Sequence, residues 1–141
     1  MSARQTTIEI VTNGPGLTEF TGDAANFVAN ASDGPALLTA FVQHTSCSLL
    51  IQENADPDVP LDLAEYFRRI APDGDDPTMG WMRHVMEGPD DMPAHIRAAL
   101  TQTSLTVPVN SRRMLLGTWQ GLFLFEHRHR PHTRRVVLHL A

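Results

Sequence analysis

The sequence predicts one α+β domain over residues 1–141, in which about three helices pack on a mostly antiparallel or mixed sheet. Three observations predict this class. The length of 141 residues is typical of a single domain. About eight segments alternate apolar and polar residues or are rich in β-branched and aromatic residues, as strands are. The helical segments do not alternate regularly with these strands, so short strand-to-strand links favour antiparallel pairing.

The first part of the chain is predicted to contain four strands and one helix. Residues 6–11 alternate apolar and polar side chains, and the Asn-Gly-Pro-Gly sequence at 13–16 is typical of a turn. Asp23 is placed to cap a helix that runs to about Ala31, before an Asp-Gly-Pro sequence ends it. The strands predicted here are 6–11, 17–21, 36–43 and 46–53.

The rest of the chain is predicted to contain two further helices and four further strands. The Asn-Ala-Asp-Pro sequence at 54–57 starts a helix whose apolar stripe continues to Ile70. Residues 71–80, rich in Asp, Pro and Gly, form an exposed loop, and Asp91 begins a helix that continues to Leu100. The strands predicted here are 104–109, 114–118, 121–127 and 134–140. We expect the last two to form a hairpin with the arginine- and histidine-rich stretch as its turn.

The composition excludes several classes of protein. The formal charge of −5 at pH 7 argues against a nucleic-acid partner, because such proteins normally present a basic face. All 11 basic side chains are arginine, which excludes lysine Schiff bases, pyridoxal phosphate attachment and the phosphate-loop lysine. The single cysteine, Cys47, allows no internal disulfide and favours a reducing compartment. Since no signal peptide and no membrane-length apolar run occur, we expect a cytoplasmic protein without a membrane partner.

A polar face marks the strand predicted around residues 43–53. His44, Ser46 and Ser48 share one face of an extended chain, whereas Cys47 points to the other face. This geometry disfavours a Cys–His nucleophilic pair, and a buried free cysteine is usually an inert core residue. His44 is therefore either a hydrogen-bonded interior histidine or a functional group.

A second group of candidates lies around the start of the third helix. His95 follows Asp91 by four residues, so the carboxylate and the imidazole can meet on one side of the helix. His84 precedes a Gly-Pro turn that can fold back over the helix start. Together with His44, these imidazoles match the ligand set of a catalytic zinc-type site with one open position. The alternative role for Asp91 is helix capping, and in the metal hypothesis it orients a histidine ligand.

A third group lies before the last strand. His127 and His129 share a strand face, but the arginines on both sides oppose cation binding. Arg128 and its neighbours suit a phosphate instead, because the guanidinium fork matches phosphate oxygens. Glu126 could serve as an acid or base beside them. The alternative is a solvated loop without a ligand.

Several sequence blocks together resemble the YjbQ family, whose members are described as secondary thiamine-phosphate synthase-like enzymes. The resemblance covers nearly the whole chain and is strongest from His44 onward. Its marks, in chain order, are His44-Thr45-Ser46, Glu53-Asn54-Ala55-Asp56-Pro57, Glu87-Gly88-Pro89-Asp90-Asp91-Met92-Pro93-Ala94-His95, Gly117-Thr118-Trp119-Gln120-Gly121, Glu126-His127-Arg128 and Arg134-Arg135.

The resemblance implies a YjbQ-like α+β fold that assembles as a homotrimer, with a polar pocket that can extend to a subunit boundary. It implies that a divalent metal, Zn²⁺ or Mg²⁺, is held by His44, His84 and His95. Its remaining elements map onto candidate acid–base and substrate-binding residues. The catalytic candidates are Glu53, Asp91 and Glu126, and the candidates for binding substrate or phosphate are Ser46, Asn54, Trp119, Gln120, His127 and Arg128.

Three functions stay open from the sequence. The first is a metal-assisted transferase that joins a pyrimidine-methyl diphosphate to a thiazole phosphate and releases diphosphate, as the resemblance implies. The second is a metal-dependent hydrolase of a phosphorylated small molecule, with Glu53, Asp91 or Glu126 as general base. The third is a trimer that binds a metal or a phosphorylated metabolite without catalysis.

Overall fold

Two antiparallel sheets and three helices make up the computed structural model, which describes residues 3–141. The predicted α+β class with antiparallel strands and three helices is therefore confirmed. The strands are β1 (Arg4–Thr12), β2 (Gly16–Glu19), β3 (Ala36–Val42), β4 (Cys47–Glu53), β5 (Ser104–Asn110), β6 (Arg113–Met114), β7 (Gln120–Glu126) and β8 (His132–Leu140). The helices are α1 (Thr21–Val28), α2 (Asp58–Ile70) and α3 (Asp91–Leu100), with a short 3-10 helix at Pro77–Met79.

The strands divide between a five-stranded and a three-stranded sheet. Sheet A has the order β1-β8-β3-β5-β6, and sheet B has the order β2-β7-β4. All of these pairings are antiparallel among the described residues 3–141. None of the helices in this part of the chain is both long and apolar enough to cross a membrane.

The prediction of a hairpin between the last two strands is wrong. β7 pairs with β2 and β4 in sheet B, whereas β8 pairs with β1 and β3 in sheet A. The seven residues of β7 include a continuous buried run from Gly121 to Glu126, which is typical of a strand covered on both faces. Because β2 and β4 occupy both of its edges, β7 has no free edge for β8. The chain crosses to the other sheet instead.

Two predicted boundaries also differ from the structure. α1 begins at Thr21, so Asp23 lies in its first turn and does not cap it. β6 ends at Met114, earlier than the predicted strand 114–118. Further along, the amide of Gly117 donates to Oε1 of Gln120 over 2.8 Å, and this bond holds a tight turn into β7.

The hydrophobic core lies between the sheets, with α1 closing one side. Ala24 and Val28 of α1 are fully buried. Burial of each large aliphatic side chain contributes about 1.5–3 kcal/mol. The fully buried leucines and valine at the centre of the sheets are Leu38, Val136 and Leu138 in sheet A and Leu49, Leu122 and Leu124 in sheet B.

Helix α2 packs less closely than the other helices. It lies along β2, and none of its residues is fully buried. Ala64 and Phe67 of its apolar stripe are half-buried, whereas Leu61 and Ile70 are exposed. The helix therefore covers the sheet without filling the space beneath it.

A buried ion pair joins the two sheets. Glu126, the last residue of β7, is fully buried and accepts hydrogen bonds from the guanidinium of Arg134 on β8. Thr12 of β1 donates its hydroxyl to the same carboxylate. Arg134 also donates to the carbonyl and the hydroxyl of Ser46, which directly precedes β4. One ion pair thereby fixes the relative positions of four strands.

Replacing Arg134 by leucine is expected to destabilise the fold by about 3–5 kcal/mol, because Glu126 would remain buried without its charge partner. The free energy of unfolding in urea measures this effect. The matched control is Arg135→Leu, an exposed neighbour on the same strand, which should change stability by no more than about 0.5 kcal/mol. Equal stabilities of the two variants would contradict the structural role of the pair.

Candidate functional site

Two imidazoles and one carboxylate converge at one end of sheet B. His84 Nε2 lies 2.6 Å from Asp91 Oδ2, and His95 Nε2 lies 3.2 Å from the same oxygen. The three potential ligand atoms lie within 4.8 Å of one another. Asp91 is almost completely buried, whereas the histidine side chains are 44% and 31% exposed. The cluster is therefore anchored below by a buried carboxylate and is open above.

Local sequence explains how the three residues meet. Asp91 is the first residue of α3, and His95 follows it by four residues, so both side chains lie on one side of the helix. His84 lies in the loop before the helix, which turns at Gly88 and Pro89. Gly88 has φ of 98°, a left-handed conformation that favours glycine. The turn therefore brings His84 back over the start of the helix.

The capping role considered for Asp91 does not occur. The N-terminus of α3 has no side-chain capping hydrogen bond. The Asp91 carboxylate instead faces the two histidines, and its Oδ1 accepts a 2.6 Å bond from Nη1 of Arg128. Burial alone would raise the pKa of Asp91, but hydrogen bonding from His84 and the charge of Arg128 together keep that pKa below its usual value. The carboxylate is therefore ionised at neutral pH.

Arg128 holds the carboxylates of this site in place. Its Nε donates to Asp90 Oδ2 over 2.9 Å, and its Nη2 donates to the carbonyl oxygen of Glu87 over 3.2 Å. Together with the bond to Asp91, these contacts engage all three nitrogens of the guanidinium. Arg128 was expected to bind phosphate, but the structure shows its guanidinium engaged with protein acceptors.

The tautomer of His95 bears directly on what the cluster binds. Its Nδ1–H donates to the carbonyl oxygen of Thr45 over 2.9 Å. In a neutral imidazole, Nε2 then carries a lone pair and no proton. This lone pair faces Asp91 Oδ2 at 3.2 Å. Two acceptors at this distance repel each other unless a proton or a cation lies between them. A histidine that donates one nitrogen to a carbonyl is also the usual arrangement of a metal ligand.

The donor set fits a transition-type divalent ion better than magnesium. Two imidazole nitrogens and one carboxylate oxygen are ligands typical of Zn²⁺ or Fe²⁺ sites with open positions. Mg²⁺ prefers oxygen ligands and retains several waters. His84, Asp91 and His95 are therefore the residues that could hold a metal ion.

Glu87 and Asp90 belong to this site, although no role was predicted for them from the sequence alone. Glu87 Oε2 lies 3.5 Å from His84 Nε2, and its side chain is 63% exposed. Asp90 is buried and accepts from both Arg128 and the amide of His129. The sequence feature that could have indicated this role is the cluster of acidic residues around the Gly-Pro turn. It places the carboxylates of Glu87, Asp90 and Asp91 beside the histidines.

The structure does not bring His44 into the cluster. Its Nε2 accepts a 2.9 Å hydrogen bond from the amide of Arg135, and its Nδ1 lies 3.4 Å from Nη1 of Arg134. Burial and the charge of Arg134 lower the pKa of His44. A neutral histidine facing a guanidinium is a poor position for a cation, so the geometry favours Asp91 as the third ligand.

Three further candidates are buried structural groups at the same end of sheet B. Glu126 accepts from Arg134, Thr12 and two backbone amides, which argues against its expected acid–base role. His127 is fully buried, pairs with Ser48 and packs on Phe125; burial lowers its pKa to about 3. Ser46 is buried against Arg134. Cys47, expected to be inert, is fully buried, and burial raises its pKa to about 12.

The remaining candidates lie at the opposite end of sheet B. In the β4–β7 register, Cys47 pairs with Glu126 and Glu53 pairs with Gln120, so the two ends are roughly 20 Å apart at about 3.3 Å per residue. Here Asn54 donates to Glu19 over 2.9 Å, and Trp119 is 61% exposed. Glu53, Asn54, Trp119 and Gln120 therefore do not meet the histidine cluster within one chain.

Comparison with known proteins identifies the family. The sequence model described as UPF0047 protein YjbQ-like matches residues 6–141. This chain belongs to the YjbQ family. The UPF0047 protein sll1880 of Synechocystis sp. (strain ATCC 27184 / PCC 6803 / Kazusa) is 48% identical over 137 residues, which cover 97% of this chain and 90% of that protein.

Other YjbQ-family relatives agree with this membership. The UPF0047 protein YjbQ of Escherichia coli O157:H7 is 45% identical over 101 residues, which cover 72% of this chain and 70% of that protein. The crystal structure of the conserved hypothetical protein TT1486 from Thermus thermophilus superposes with a TM-score of 0.79 at 31% identity, covering 94% of this chain and 97% of that one. The YjbQ-family fold therefore extends over nearly the whole chain.

Proposed function

We propose that this YjbQ-family protein is a divalent-metal-dependent enzyme that acts on a phosphorylated small molecule. The observation that supports this most strongly is the opposed pair formed by His95 Nε2 and Asp91 Oδ2, 3.2 Å apart, with His84 completing a set of three ligands. A shared cation relieves the repulsion between these atoms. The exposure of both histidines leaves room for a substrate above the cluster.

Each supporting residue has a defined part in this proposal. The Thr45 carbonyl fixes the tautomer of His95, and Arg128 directs one oxygen of Asp91 away from the histidines so that the other faces them. When bound, a divalent ion would supply Lewis-acid stabilisation of phosphate oxygens and activation of water. The donor set is typical of Zn²⁺ or Fe²⁺, and Zn²⁺ suits the proposed reactions because they involve no redox step.

The phosphate of the substrate would occupy the groove beside the cluster. This groove has a volume of about 530 Å³ and is lined by residues 86–90 and by Arg128, His129 and Arg130. Arg130 is exposed, whereas Arg128 is engaged with Asp90 and Asp91. We therefore assign phosphate binding to Arg130, whose guanidinium suits phosphate oxygens.

The reaction that we propose first is transfer of the thiamine-phosphate synthase type, because the sequence blocks around the cluster resemble enzymes described in that way. The thiazole nitrogen attacks the methylene carbon of the pyrimidine-methyl diphosphate, a carbon–nitrogen bond forms, and the carbon–oxygen bond to diphosphate breaks. The released diphosphate carries the negative charge that the cluster and Arg130 are placed to stabilise.

Hydrolysis of a phosphorylated small molecule is the second candidate, and the position of Glu87 favours it. This carboxylate is exposed and lies 3.5 Å from His84 Nε2, where it can accept a proton from a water near the cluster. The general bases expected from the sequence fit less well. Glu126 is fully buried, Glu53 lies at the far end of sheet B, and Asp91 is engaged by Arg128 and the two histidines.

The metal proposal predicts how zinc binding responds to substitution. His84→Ala and His95→Ala should each abolish binding of one Zn²⁺ per chain, because each removes one of three ligands. Arg128→Met should weaken zinc binding by about 10–100-fold, as loss of a residue that orients a ligand usually does. Calorimetric titration of chelator-treated protein with ZnCl₂ measures these affinities.

Three substitutions serve as references for the zinc titration. Arg130→Met removes a neighbouring guanidinium that contacts none of the ligands, and His139→Ala removes a histidine on β8; both should keep the wild-type zinc affinity. His44→Ala should also keep it if Asp91 is the third ligand. Wild-type zinc affinity in both the His84 and His95 variants would refute the metal proposal.

The two candidate reactions separate in one assay. Zinc-loaded protein is incubated with the pyrimidine-methyl diphosphate, with and without the thiazole phosphate, and products are separated by liquid chromatography. Transfer requires both substrates and yields thiamine phosphate, whereas hydrolysis releases diphosphate without the thiazole. Glu87→Gln should abolish hydrolysis and leave the zinc content unchanged. Absence of either product, and of hydrolysis across a phosphoester panel, would contradict both reactions.

We also propose that the protein assembles as a homotrimer in which the Trp119 end of one copy approaches the cluster end of another. The family resemblance implies that residues at both ends of sheet B serve one pocket that can extend to a subunit boundary. The roughly 20 Å between the two ends excludes their meeting within one chain. Large apolar side chains are exposed at both ends, namely Trp119 at one and Trp81 and Met86 near His84 at the other. Such residues are enriched in interfaces.

Light scattering tests the assembly. The mass in solution should be about three times the 15.6 kDa of one chain, and Trp119→Glu should lower it by placing a charge in the interface. Asn26→Glu, on the exposed side of α1, is the control and should leave the mass unchanged. A monomeric wild-type protein at micromolar concentration would exclude the proposed arrangement.

A further inference from the structure

A cavity of about 240 Å³ lies beneath α2 and is lined by none of the three cluster residues. The loosely packed helix leaves this space above β7. Apolar side chains make up most of the wall surface, and the charged or imidazole groups in the lining are Glu65, Arg68, Asp73, Arg97 and His129. Phe67 of α2 and Phe125 of β7 meet there edge to face, with ring centroids 5.2 Å apart. The cavity is smaller than the roughly 300–1,000 Å³ of sites for drug-sized ligands, so it suits a molecule with one ring.

A buried arginine lines one side of this cavity. Arg97 of α3 is only 4% exposed, and its Nε and Nη2 both donate to the carbonyl oxygen of Ala71, over 3.1 and 2.6 Å. Within residues 3–141 its Nη1 forms no hydrogen bond. Its nearest carboxylate is that of Asp73, with 3.9 Å between Nη2 and Oδ1. This ion pair is longer than a hydrogen bond, so the charge of the buried guanidinium is only partly compensated.

Most of the other charged groups at the cavity have partners, although Oδ1 of Asp73 is buried and accepts no hydrogen bond within residues 3–141. Glu65 pairs with Arg68 over 2.6 Å, and Asp73 Oδ2 accepts from His129 Nε2 over 2.8 Å. Glu65 and Arg68, and likewise Asp73 and His129, are therefore paired with each other at the edge of the cavity. Among the described lining residues, Arg97 is the buried cation that still has a free donor for a ligand, whereas Arg68 is largely exposed.

We propose that this cavity binds a small aromatic carboxylate, with the ring packed against Phe67 and Phe125 and the carboxylate on Nη1 of Arg97. The cavity shares no residue with the histidine cluster itself, although His129 lines both the cavity and the groove beside the cluster. The proposal goes beyond the proposed metal-dependent activity. An arginine–carboxylate contact is shorter and stronger than one to a neutral acceptor. The apolar part of the walls accepts the ring, and the buried guanidinium gains a hydrogen-bonded charge partner that is closer than Asp73 at 3.9 Å.

Asp73 sets a further condition on the ligand. Its carboxylate lies beside Arg97 and repels an incoming anion, while it also orients His129. Removing that charge without changing the size of the side chain should strengthen carboxylate binding. This response separates a site built around Arg97 from general adsorption on an apolar surface, which would be indifferent to Asp73.

The test uses three probes that share one ring size but differ in charge: benzoate, benzamide and benzylamine. Each is titrated into ¹⁵N-labelled protein, and amide shifts are followed by two-dimensional NMR. Benzoate should shift the amides of Ala64, Phe125 and His129 and bind about tenfold more tightly than benzamide. Benzylamine should bind more weakly than both, because Arg97 repels it.

Three variants complete the test, each checked for folding by circular dichroism. Ala64→Phe fills the cavity from α2 and should abolish benzoate binding, whereas Ala99→Phe, on the exposed side of α3, should preserve it within about twofold. Asp73→Asn should tighten benzoate binding several-fold, a readout that stands even if the Ala64 variant fails to fold. Benzamide binding as tightly as benzoate, shifts outside the cavity, or no gain in Asp73→Asn would overturn the proposal.

Discussion

The buried Glu126–Arg134 pair is the interaction on which the rest of the structure depends. Glu126 ends the central strand of sheet B, and Arg134 lies in sheet A, so their contact sets the relative position of the sheets. The same carboxylate accepts the amides of His127 and Arg128 over 3.0 and 3.1 Å. It therefore also turns the chain after β7 and directs Arg128 toward Asp91. Displacing Glu126 would disturb both the sheet contact and the histidine cluster.

The cluster depends on the fold through this series of charged contacts. Arg128 is held by Glu126 through its backbone and holds Asp91 through its side chain. Asp91 then faces His84 and His95, which are less constrained because they are partly exposed. The position of the Asp91 carboxylate is therefore the most constrained in the site. The histidine side chains on the open side, where a substrate would enter, are the least constrained.

The sequence predicted those features that local pattern determines. Alternating residues located the strands, the Asx-Pro sequence and Asp91 located the starts of α2 and α3, and the four-residue spacing paired Asp91 with His95. Long-range pairing was not predictable in the same way. The stretch between β7 and β8 has the composition of a hairpin turn, but both edges of β7 are occupied by strands from elsewhere in the chain. Arg128 looked like a phosphate ligand because its partners Asp90 and Asp91 lie 38 and 37 residues away.

The central claim is that His84, Asp91 and His95 bind one metal ion together. Anomalous X-ray diffraction at the zinc edge, from crystals grown with Zn²⁺, tests it most directly. The account predicts one strong peak about 2.0–2.2 Å from His84 Nε2, His95 Nε2 and Asp91 Oδ2. A peak bound to His44 in place of Asp91, or no peak at the start of α3, would contradict it.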